Sequence, residues 1–208
     1  MKKLFLVACL MWSARICSAT IIDRIAIVVG KHPILASEID REIRVTAFLN
    51  GERPDFSAAS RKAAASRLID QQAIRDQIRL GDYPLAPETE AKGLMEQIRK
   101  DRFSSDAQFQ QALRQARVTQ AELKQRMLWQ MTVLRFIDAR FRPSIVVTDE
   151  EVHRYYDTHR TEFPEPLGQA QDKIFDLLTG ERVNAALDDW LRQTREDMRI
   201  EYLDKTLQ

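Results

Sequence analysis

The chain has 208 residues, 44% of them hydrophobic, and its 32 basic and 31 acidic side chains leave a formal net charge of +1. That balance gives no basic surface for nucleic acid, so nucleic acid is not an implied partner. The hydrophobic share and the few glycines and prolines suffice for a real core, in one domain or one domain with extensions.

Residues 1–19 read as an export signal. Lys2 and Lys3 supply the positive start, Leu4 to Trp12 the short apolar run, and Cys17-Ser18-Ala19 a small-residue exit, so cleavage is expected after Ala19 with release into the periplasm. The apolar run is about half of the roughly 20 residues that a spanning helix needs, which argues against a permanent membrane anchor. Cys9 and Cys17 both fall inside this segment, and the apolar run before Cys9 is too short for a lipoprotein signal. Cysteine chemistry is therefore not expected to survive export. Losing Lys2, Lys3 and Arg15 would leave 29 basic against 31 acidic residues, a charge of −2.

The stretch Ile21 to Val29 is dense in β-branched residues and favours a strand. Gly30-Lys31 follows as a type II′ turn, returning through His32 to Leu35, and Pro33 confines that return strand to an edge. A helix is expected from Ser37, capped by the spacing of Ser37 to Asp40. A second should run from Ser57 to Leu80, a third from about Pro87 to Lys100, and a fourth from Ser105 with Phe109 and Leu113 on its apolar side. Val118 to Leu123 and Val147 to Val152 each combine a capping box with a hydrophobic staple and mark two further helix starts. The first should carry Leu123, Met127, Met131, Leu134, Ile137 and Phe141 as one stripe, ended by Pro143. The second should reach Tyr155, Tyr156 and Phe163 before Pro164 to Gly168 breaks the pattern. Val183, Leu187, Trp190, Leu191 and Thr194 then share a helical face, and Arg199 to Leu203 returns to strand character. The fold expected is mainly α, with a small β element made from the two ends of the mature chain.

The segment from Ile22 to Asp40, read as IDRIAIVVGKHPILASEID, resembles the amino-terminal signature of the SurA-type periplasmic chaperones. Weaker matches are Leu68-Ile69-Asp70, Val147-Val152 running to Phe163, and Val183 to Leu191 leading into Ile200-Leu203. The resemblance implies one helical chaperone module formed by residues 20–163 and 169–208. It also implies that the first and last strands lie together, with residues 164–168 marking where relatives carry a parvulin prolyl-isomerase insert of roughly 100 residues. Without that insert the resemblance implies an ATP-independent chaperone, with unfolded or partly folded outer-membrane protein precursors as clients. A peptidyl-prolyl isomerase and an assembly protein with one fixed envelope partner are the alternatives, and dimerisation through a helical face stays open.

No catalytic residue is singled out and no cofactor is expected. The glycines form no phosphate loop, which argues against an ATP-driven machine. His32 sits in the hairpin return, while His153 and His159, six positions apart, are separated by about 240° around a helix, so no metal site is expected from them. Asp149-Glu150-Glu151 is explained by helix-start electrostatics. Met95, Phe103, Phe109 and Leu113 are the candidates for a client-binding crevice, methionine suiting surfaces that accept varied apolar segments. Periodicity alone favours a core role for them, and more strongly so for Met127 and Met131.

Overall fold

A computed structural model describes residues 23–208; the expected export segment, its cleavage point and both cysteines lie outside the described residues. The described chain is mainly α, with seven α-helices and one small antiparallel sheet. The sheet has β1 (Ile25–Val29) at its centre, between β2 (His32–Leu35) and β3 (Ile200–Tyr202). Gly30 has φ +61 and Lys31 has no positive φ, the combination a type II′ turn requires. Pro33 lies on the edge strand, where its missing N–H faces no partner strand.

The two ends of the described chain close on each other. Ile27 is opposite Tyr202 and Val29 opposite Ile200, in antiparallel register. The Gly30 N–H donates to the Arg199 carbonyl at 2.8 Å, and the Leu203 and Asp204 N–H groups both donate to the Ala26 carbonyl at 2.9 Å. Ala26, Ile27 and Val29 are fully buried and, with Leu207, pack against two helices, α1 (Ala36–Asn50) and α2 (Ala58–Leu80).

The start of α1 differs from the expected Ser37 cap. Leu35 is the N-cap residue, and the Glu38 carboxylate accepts its backbone N–H at 2.8 Å. A leucine side chain cannot accept in return, so only half of a capping box forms. Ser37 instead turns back to hydrogen-bond Asp23, and Asp40 pairs with Arg61 at 2.9 Å. The cap lies two residues before Ser37 because strand geometry runs through Leu35 directly into the helix.

Three more helices follow, α3 (Glu88–Arg102), α4 (Asp106–Ala116) and α5 (Gln120–Arg140). Ser57, Ser105 and Thr119 each accept an N–H of the first turn, and Thr119 with Glu122 forms the expected box. Of the expected stripe along α5, Leu123, Met127, Met131, Ile137 and Phe141 pack into the interior, and only Leu134 does not. Leu134 is 62% exposed, whereas Phe136 is completely buried. The N-terminal half of α5 packs with α1, α3 and α4 through Leu123 and Met127, and its C-terminal half turns Phe136 toward α2 and the last helix. A helix with different partners at its two ends buries a face that rotates along its length.

The sixth helix, α6 (Asp149–Thr158), begins with the expected Thr148–Glu151 box but stops before Phe163. The Thr158 hydroxyl lies 3.0 Å from the Arg154 and Tyr155 carbonyls of the last turn, and Phe163 folds back, 3% exposed, against Tyr155. The break therefore spans residues 159–166, and Leu167 and Gly168 of the expected seam already belong to the next helix. The Pro166 carbonyl accepts the Gln169 and Ala170 N–H groups at the start of α7 (Leu167–Asp197), whose 31 residues make a rod of about 45 Å. Its first half packs on α6 around Ile174, and its second half on α2 and α5 around Val183 and Trp190.

Candidate functional site

A cleft of about 660 Å³ opens between α1, α2 and α5. Helical spacing aims one face of each helix into it: Glu38, Glu42 and Val45 from α1, then Leu68, Arg75 and Ile78 from α2, and Gln125, Leu128 and Trp129 from α5. The loop before α3 closes one side. There the Ala86 N–H donates to Thr132 Oγ1 at 3.3 Å and Arg135 donates to the Leu85 carbonyl at 3.3 Å, so Leu85 stands at the rim, 63% exposed. Leu68, Ile78, Leu128 and Trp129 are each half-buried, which leaves apolar surface facing the cleft.

At the floor, Glu42 is 6% exposed and receives Arg126 at 2.6 Å and Arg67 at 3.1 Å on the same oxygen. Burial by itself would raise the Glu42 pKa. The hydrogen bonds and charges of the two arginines outweigh it, and the carboxyl is held below its ordinary value. Arg126 also donates to Thr46 Oγ1 at 2.6 Å, so the floor is a fixed ionic bridge between α1 and α5, reinforced from α2 by Arg67. At the wall, the Arg75 guanidinium lies 4.4 Å from the centre of the Trp129 ring. This arrangement presents a rigid polar base beneath apolar sides open to solvent.

The residues expected to form a crevice do not line this cleft. Met95, Phe109 and Leu113 are between 1% and 6% exposed, and Phe103 is half-buried beside them. The Phe103 and Phe109 rings meet at 5.3 Å and both face Phe48 of α1. In this fold they form the interior of the α3–α4 unit, because the end of α1 covers the face that the sequence leaves open. Met127 is fully buried in the same cluster and Met131 packs at its margin.

The histidines are dispersed. His32 lies 3.8 Å from Asp76, His153 Nδ1 contacts the Asp149 carbonyl at 2.8 Å, and His159 stacks on Tyr155 with ring centres 3.9 Å apart. Among the described residues no three His, Asp or Glu side chains converge as a metal site would require. No described helix is long and apolar enough to cross a membrane.

Sequence reasoning missed the cleft. Glu42, Arg67 and Arg126 lie 25 and 84 positions apart, and neither separation leaves a local pattern. The one available signal was Glu42 itself, a charge on the face that Ile39 and Ile43 make apolar, which demands a buried partner. No protein-family model matches the chain, and no curated protein matches it, so the site rests on its own geometry.

Proposed function

We propose that the protein is an ATP-independent chaperone of the SurA type, exported to the periplasm, which holds unfolded or partly folded outer-membrane protein precursors. The observation that carries this reading is the open cleft between α1, α2 and α5, whose half-buried Leu68, Ile78, Leu128 and Trp129 offer apolar contact without an enclosed pocket. Such a surface grips exposed aliphatic and aromatic side chains irrespective of their sequence. Outer-membrane strands, which alternate apolar and polar residues, supply such side chains at every second position. The pairing of β1 with β3 supports the reading further, because the resemblance to SurA-type chaperones implies it.

The reading includes no isomerase activity. Its test pairs two assays on the mature protein: suppression of aggregation of an unfolded outer-membrane barrel, and proline isomerisation in a short peptide. Suppression without acceleration is the expected result. Leu85→Ser, at an exposed position on the rim, should weaken holding with an unchanged melting temperature. Acceleration of isomerisation at substoichiometric protein would favour an enzyme, and failure to hold any unfolded barrel would remove the chaperone reading.

A further inference from the structure

The cleft contains four arginines, and three of them are matched to a carboxylate. Arg41 pairs with Glu122 at 3.0 Å, Arg126 with Glu42 at 2.6 Å, and Arg79 with Asp76. Arg75 is the exception: among the described residues no carboxylate oxygen lies within 4.0 Å of it, and its one side-chain hydrogen bond, to Gln71 Oε1, is long at 3.4 Å. Glu38, the remaining carboxylate of the cleft wall, accepts the Leu35 N–H with one oxygen and makes no ion pair with Arg75. Arg75 is exposed as a residue, yet one face of its guanidinium rests on Trp129. Loss of water there, opposed by the more distant Glu38 and Glu42, pulls its pKa below the usual arginine value. A planar cation held flat on an indole keeps its N–H edge free, and that edge fits the two oxygens of a carboxylate.

We propose that the cleft takes the free carboxyl end of a polypeptide whose last side chain is apolar, with Arg75 binding the carboxylate and Leu68, Ile78 and Leu128 receiving the side chain. The assignment deepens the chaperone reading and rests on it. An internal segment of a client presents only neutral backbone to Arg75, whereas a chain end brings a carboxylate that can reach it. Each unfolded precursor has one such end, so the cleft would fix a single point of attachment on a client and leave the rest of the chain free.

The test uses a short fluorescent peptide ending in Phe, as the free acid and as the carboxamide, with binding to the mature full-length protein followed by anisotropy. The free acid should bind about tenfold more tightly, the size of one charge-assisted hydrogen-bonded contact, and the difference should shrink as salt is raised. Arg75→Gln should erase the difference by weakening the acid alone and leaving the amide unchanged. Arg75→Lys, which keeps the charge but not the planar fork, should keep part of it. Equal binding of acid and amide by the parent protein would overturn the carboxylate site while leaving the cleft as a binder of internal segments. Binding of neither peptide by a protein that still holds an unfolded barrel would overturn the assignment of the cleft, and binding of neither with no holding would remove the chaperone reading as well. A circular-dichroism melt of each variant separates loss of the contact from loss of the fold.

Discussion

Arg195, near the end of the last helix, donates to the Asp70 carboxylate at 2.5 Å and to the Ser66 carbonyl at 2.8 Å, tying together residues 125 and 129 positions apart. The pair is about one-third exposed on each side, so solvent screens part of its worth. Its guanidinium reaches a charged partner and a backbone acceptor at once, fixing α7 against α2 just before the chain turns into β3. Arg195→Ala is expected to cost about 1 kcal/mol of stability, and a double-mutant cycle with Asp70→Ala should recover a coupling of similar size. Urea denaturation of the four proteins measures both.

Removing residues 199–208 deletes β3 and the buried Leu207 together. Burial of Leu207 alone is worth about 1.5–3 kcal/mol, and β1 would lose its partner on one side, leaving a two-stranded hairpin of marginal stability. The melting temperature should fall clearly, and amide exchange should accelerate at Ile27 and Val29 before it does in α3 and α4. A truncated protein that melts like the parent would show that the strand pairing contributes nothing.

Phe109 distinguishes core from client surface. At 1% exposure, between Phe48 and Phe103, its truncation to Ala should cost about 3–5 kcal/mol. Leu85→Ser, at the cleft rim, should leave stability within about 0.5 kcal/mol of the parent. The two variants thus separate stability from holding, and thermal melts alongside an aggregation assay read both.

The junction of α6 and α7 should loosen in acid. Glu151 pairs with Arg182 and accepts the Thr148 N–H, which lowers its pKa to about 2 from an ordinary 4.5. A carboxyl with a lowered folded pKa adds stability that is complete above its unfolded value and is lost as the pH falls through the folded one. The contribution should therefore be full above about pH 5 and disappear between there and pH 2. Arg182→Gln should flatten this part of the pH profile, which chemical denaturation at several pH values will show. Retention of the same acid slope in the variant would assign it to other carboxylates, among them Glu42, whose pKa is also lowered.

The elements whose signals are local were legible in the sequence. Thr119 with Glu122 and Thr148 with Glu151 set helix starts through contacts three residues apart, and Gly30 set a turn through its own φ. The mainly α class and the meeting of the two end strands followed from such segments together with the family resemblance. What depends on contacts across the chain was decided by tertiary structure alone. Helical periodicity identifies an apolar face but not what covers it. Phe48 of α1 therefore turned Phe109 and Leu113 into core, and packing against α7 buried Phe136 while leaving Leu134 in water. The cleft is the extreme case, because it exists only where α1, α2 and α5 fail to fill the space between them. A gap between surfaces belongs to no single segment, so no spacing within one could announce it.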